Sequence, residues 1–131
     1  LIYWRLYRAT LGDAYWKRLR TLHHSPAVWE EHVRILEQLV DHCEHRNISL
    51  SIIIWPHLLR VRESQALMAR IATLFADREV PVLDLTTILA DRKSADLTVN
   101  PLDGHPGVAL HREVANLWMS EIGILLPDGQ H

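Results

Sequence analysis

The sequence predicts an α/β fold built on parallel strands, and three observations lead there. Residues 49–55 and 80–85 are short apolar runs, separated by a stretch of helical periodicity. In the first run Ile52, Ile53 and Ile54 follow one another without alternation, as in a strand covered on both faces. Helical patterns also precede the first run and follow the second, the order expected when helices layer on a parallel sheet.

Residues 2–22 read as a helix, with Ile2, Leu6, Leu11, Tyr15, Leu19 and Leu22 at roughly helical spacing and Gly12-Asp13 as a point of breakage or kinking. Trp4 and Trp16 mark a face that packs on something. Ser25-Pro26 is a helix start, a Ser N-cap followed by Pro at the first helical position. The helix it opens, 27–46, carries the stripe Trp29, Val33, Leu36, Val40 and Cys43, widened by Ile35 and Leu39. Glu30 and Glu31 suit its first turn, His45 and Arg46 its last, and Asn47 a left-handed C-cap.

The strand at 49–55 stops at Pro56, and 57–62 reads as a loop. A helix over 63–77 presents Leu67, Met68, Ile71, Leu74 and Phe75. After the strand at 80–85, residues 86–90 form a helical turn capped by Asp84. Residues 91–106, rich in Asp, Asn, Pro and Gly, read as a loop. The last helix, 107–126, carries Val108, Val114, Leu117, Trp118, Ile122 and Leu125, and Pro127-Asp128-Gly129 ends it. Two strands are few for a parallel sheet, so further strands are expected from preceding sequence or a second copy.

The 131 residues suffice for one domain. A net charge of −2 gives no reason to expect a nucleic-acid or anionic-membrane partner. No apolar run approaches the roughly 18 residues of a membrane span. A single cysteine, Cys43, excludes an internal disulfide and leaves the compartment undecided. Arg5, Arg8, Lys17, Arg18 and Arg20 interrupt the opening apolar positions, which does not fit a signal peptide. Together with a start at Leu1, this leads us to expect a chain that begins within a longer protein.

The chemistry concentrates before the last helix. Functional groups of α/β sheets gather at the carboxyl ends of the strands. There, Asp103 and His105 stand two residues apart, with Gly104 between them and Pro106 after. A His oriented by a carboxylate is the base half of a serine hydrolase: the carboxylate fixes the imidazole tautomer and stabilises the imidazolium. Pro106 restricts His105 to extended backbone. By itself the pair also fits a polar turn ahead of a helix.

The wider pattern resembles the last block of the SGNH (GDSL-type) hydrolases. Asp103-Gly104-His105-Pro106 is followed by His111, then Val114, Ala115 and Leu117 on a terminal helix. Upstream, the strand ending Ile54-Trp55-Pro56 and the run Val80-Pro81-Val82-Leu83-Asp84-Leu85 are similar to that family's preceding strands. The resemblance spans residues 25–126. It implies a flavodoxin-like three-layer α/β/α domain of which 1–131 is the C-terminal part. It also implies ester hydrolysis, on a small-molecule or carbohydrate ester and without cofactor, by a Ser-His-Asp triad in which His105 is the base and Asp103 its orienter. Gly107 stands where the family has Asn, and Leu110 where it has Gly.

The family's Gly-Asp-Ser nucleophile block has no counterpart: Gly12-Asp13 is followed by Ala14 within a helical stretch. Ser25 reads as a cap, Ser49 and Ser51 as strand, Ser64 and Ser120 as helix, and Ser94 as loop. The serine is therefore expected from sequence before Leu1. Two alternatives stay open: a non-catalytic module of the same fold that binds carbohydrate or protein, and an O-acyltransferase on the same scaffold.

Among the nine His, His42 and His45 flank Cys43-Glu44, but a zinc site needs three or four ligands and no second cluster has ligand spacing. His23-His24 read as loop. His57, after Pro56 at the same sheet end as His105, is either substrate-binding or a solvated loop residue. His111 reads as a structural hydrogen bonder. Arg60 and Arg62 read as a solvated loop, or as groups that would meet an anionic substrate.

Overall fold

The computed structural model describes residues 2–100 and 103–123, with side chains from Asp13 onward. The chain forms two compact units, residues 1–42 and 43–131.

The first unit holds α1 (Ile2–His24) and most of α2 (Pro26–His45). Helix α1 runs unbroken through Gly12-Asp13, and it includes His23 and His24, expected in a loop. One glycine costs a helix interior only about 1 kcal/mol, which a helix of 23 residues absorbs. Ser25 makes the corner: its N–H donates to Leu22 O at 3.1 Å and its carbonyl accepts from Trp29 N at 2.9 Å. Of the expected stripe of α1, the side chains of Ile2, Leu6 and Leu11 lie outside the described residues, and Leu19 is half-buried. Tyr15 and Leu22 are exposed while Trp16 is 4% exposed. On α2, Val40 and Cys43 are buried and Trp29, Val33 and Leu36 half-buried, but Ile35 and Leu39 face solvent. Helix α2 ends as expected, with Asn47 at φ 54° and Ile48 N donating back to Cys43 O at 2.9 Å, the closure a left-handed cap provides.

In the second unit, β1 (Ile52–Ile54), α3 (Val61–Asp77) and β2 (Val82–Asp84) form a strand–helix–strand unit. The strands pair in parallel, Ile52 opposite Val82, Ile53 opposite Leu83 and Ile54 opposite Asp84. The α/β class and the parallel pairing read from the sequence are therefore present. Ile54 is buried, but Ile53 is 37% exposed, so one face of β1 is only partly covered. Helix α3 starts two residues earlier than expected: Arg60 is its N-cap residue and Arg62 lies in its first turn rather than in a loop. Asp84 caps α4 (Leu85–Ile88) as expected, Oδ1 accepting from Thr86 N at 2.8 Å.

Residues 91–106 are not a loop. They contain α5 (Ser94–Leu97), β3 (Thr98–Asn100) and β4 (Asp103–Pro106), and β3 and β4 pair antiparallel with Thr98 opposite Pro106 and Asn100 opposite Asp103. Leu97 is fully buried. Thr98 Oγ1 ties the helix to the strand, donating to Ser94 O at 2.9 Å. Strands of three and four residues without apolar alternation carry no period to detect.

Helix α6 (Val108–Glu121) follows. Leu125 and Pro127-Asp128-Gly129 lie outside the described residues. Val108 is exposed, whereas Leu110 is 1% exposed. The core collects side chains from α3, β2, α4, α5 and α6 and from the residues beside them: Leu58, Val61, Leu83, Leu85, Leu89, Leu97, Leu110, Val114 and Ile122. Full burial of a leucine contributes about 1.5–3 kcal/mol, so this cluster, through Leu110 and Val114, fixes where the start of α6 sits.

Candidate active site

Strand β4 supplies Asp103 and His105. Asp103 Oδ1 accepts from the backbone N–H of His105 at 3.0 Å, an Asx-type turn in which a side chain organises the backbone two residues on. The same oxygen lies 2.5 Å from His105 Nδ1. A carboxylate only accepts, so in the neutral ring this contact requires the proton on Nδ1 and leaves Nε2 with its lone pair. A general base held by an orienting acid uses the same ring contact. The two side chains are open to solvent, His105 86% and Asp103 41% exposed.

The backbone on either side is anchored. Gly107 N donates to Leu97 O at 2.8 Å. A Cβ at Gly107, where the resembled family carries Asn, would stand 3.4 Å from the carbonyl oxygen of Thr98, an ordinary van der Waals contact, at a φ of −72° that any residue adopts. Leu110, in place of that family's Gly, fills the core. Of the two departures, Leu110 has the packing role.

The segment after β1 meets this turn. A Cβ on Gly104 would lie 3.4 Å from Leu59 Cγ and Cδ1. Trp55, at the end of β1, and His111, on the first turn of α6, bring their rings to 5.8 Å between centroids at 55°. The carboxyl end of β1 and the β4–α6 junction are thus neighbours. Neither contact was legible in the sequence, since each joins residues about 45–55 positions apart.

His57 belongs to that segment. It is half-buried, and burial lowers its pKa below the ordinary 6.5, with the nearby Arg60 charge acting in the same direction and a backbone hydrogen bond and Glu63 opposing it. Its N–H donates to Ser64 Oγ at 2.9 Å, and Ser64 Oγ donates to Arg60 O at 2.8 Å. Ser64 is fully buried, so its hydroxyl holds the loop. Ser120 Oγ donates to Leu117 O at 3.1 Å. Ser94 opens α5 rather than lying in a loop. Ser49 and Ser51 lie just before the strand rather than in it.

Among the described residues, no group of three or more His, Cys, Asp or Glu is arranged to hold a metal ion. Glu44 instead accepts from Arg78 Nη2 at 3.0 Å. Among the same residues, no helix is long and apolar enough to cross a membrane. No protein-family model, curated protein or solved structure matches the chain.

Proposed function

We propose that this chain carries the acid–base half of a serine ester hydrolase of the SGNH type, within a flavodoxin-like three-layer α/β/α domain. The observation that carries the reading is the double contact of Asp103 Oδ1 with His105 N and Nδ1, at 3.0 and 2.5 Å. It biases a surface imidazole toward the Nδ1–H tautomer, with Nε2 available to take a hydroxyl proton. Its position after the parallel strands, beside the carboxyl end of β1, supports the same reading.

In the reaction, Nε2 of His105 removes the proton from a serine hydroxyl as that oxygen attacks the ester carbonyl. It then gives the proton to the leaving alcohol, and a water repeats the cycle on the acyl-serine. Asp103 keeps Nδ1 protonated throughout. No residue of this chain is assigned as nucleophile or oxyanion donor. His57, at the end of the same segment as Leu59, lines the substrate side.

The test is turnover of a short-chain aryl ester by the complete gene product containing this chain. His105→Ala should lower kcat by about a hundredfold or more; wild-type-like turnover in that variant sinks the assignment. The 86% exposure of His105 favours a second reading, a non-catalytic module of the same fold. Absence of both esterase and acyl-transfer activity from a well-folded complete product would select it.

A further inference from the structure

The β3–β4 ladder is irregular where the candidate base stands. Thr98 pairs with Pro106 and Asn100 with Asp103, so Val99 alone stands opposite both Gly104 and His105. Two residues against one is a β-bulge, which interrupts the ladder and re-aims the side chains beside it. Val99 and His105 are both exposed, so neither the side chain opposite nor burial of the ring gives the bulged residues much support. Asp103 Oδ1 ties the ring to its own turn, through His105 N and Nδ1. The aim of that turn as a whole depends on what backs it.

The segment after β1 supplies a backing. A Cβ on Gly104 would stand 3.4 Å from Leu59 Cγ and Cδ1, which puts the leucine within van der Waals reach of the bulge. Leu59 belongs to a turn that is closed at both ends. Arg60 N donates to His57 O at 2.7 Å. The hydroxyl of Ser64, fully buried, accepts from His57 N at 2.9 Å and donates to Arg60 O at 2.8 Å. Leu58 and Val61, on either side of the Leu59-Arg60 pair, are buried in the core. The backbone that carries Leu59 is therefore fixed, while its own side chain remains 39% exposed at the surface.

We propose that Leu59 is a positioning residue for His105: it backs the bulge at Gly104 and so limits the orientations that the Asp103–His105 turn takes up. The purpose of this role rests on the ester-hydrolase reading, whereas the contact itself does not. A general base works only when its lone pair stands within hydrogen-bond reach of the proton it removes, and misplacement by about 1 Å lowers a rate by as much as about a hundredfold. Leu59 acts through the turn and not on the substrate.

The test reads the His105 ring as well as turnover. In the wild-type chain, nuclear Overhauser contacts between the Leu59 methyls and the Gly104 α-protons are expected; their absence would overturn the proposal without any variant having to fold. In Leu59→Ala, ring nitrogen shifts at high pH should show the ratio of neutral tautomers moved toward Nε2–H by about twofold. Met119→Ala, which trims an exposed side chain near the other end of α6, should keep the wild-type ratio. A leucine that served only stability would lower the urea midpoint and leave the ratio alone, so an unchanged ratio in folded Leu59→Ala, or an equal change in Met119→Ala, overturns the role. In the complete gene product Leu59→Ala should also lower kcat by about threefold or more at unchanged KM. A shifted ratio with no ester turnover by the wild type would sink the hydrolase reading alone. Wild-type turnover with ratio and kcat unchanged in Leu59→Ala would sink the positioning role alone.

Discussion

Replacing Asp103 by Ala removes one carboxylate oxygen that touches both the His105 N–H, at 3.0 Å, and its Nδ1, at 2.5 Å. With side chains 86% and 41% exposed, the ring contact is screened by water and contributes no more than about 0.2–1 kcal/mol. The backbone bond adds about 0.5–1.5 kcal/mol. Global stability should therefore fall by only about 1–2 kcal/mol, read as a modest shift of the urea midpoint at unchanged slope. The imidazole responds differently. At the upper end, about 1 kcal/mol of preference for the Nδ1–H tautomer is about a fivefold change in the ratio of the two neutral forms. Nitrogen chemical shifts of the ring at high pH report that ratio directly. The wild-type ring should be enriched in Nδ1–H, and Asp103→Ala should move it toward Nε2–H. An unchanged ratio between the two proteins would mean that the carboxylate does not orient the base, and the proposed catalytic role would fall with it.

Other perturbations probe the supports of the site. Ser64→Ala leaves the half-buried His57 N–H without its hydroxyl acceptor and should destabilise by about 1–3 kcal/mol; a urea midpoint within error of wild type contradicts the anchoring role. Leu97→Ala empties a fully buried position in the core behind β3 and should cost about 2–5 kcal/mol, with faster hydrogen exchange at Gly107 N, which donates to Leu97 O. His57, whose pKa is lowered by burial, should make stability depend on pH. The unfolded chain binds the proton more readily, so the stabilisation is complete above about 6.5 and is lost as pH falls toward the lowered folded value. Melting temperature against pH should show this slope, and His57→Gln should flatten it; equal slopes in both proteins would exclude His57 as the source.

The division between what was legible beforehand and what was not follows the range of the interactions. Helix boundaries at Pro26 and Asn47, the Asp84 cap of α4 and the unalternating isoleucines of β1 are short-range matters. A cap, a fixed proline φ or a left-handed asparagine acts within a few residues and is written where it acts. The Asp103–His105 contact is equally local, two residues along one strand, and the same holds for its Asx geometry. On α1 the sequence marked Trp16 as a packing residue, and it is buried, but it also placed Tyr15 and Leu22 in the apolar stripe, and these are exposed, because burial on a helix depends on what packs there.

The sequence by itself therefore determined the α/β class, the parallel strand pair and the candidate base with its orienting acid. Tertiary structure decided everything that needs two distant segments at once. Residues 91–106 become a short helix and a hairpin because Leu97 finds the core and Gly107 approaches Thr98. The carboxyl end of β1 comes beside the β4–α6 junction because Trp55 meets His111 and Leu59 lies near Gly104. A local pattern records the preferences of its own few residues, whereas the energy of these contacts exists only once the chain has folded back on itself.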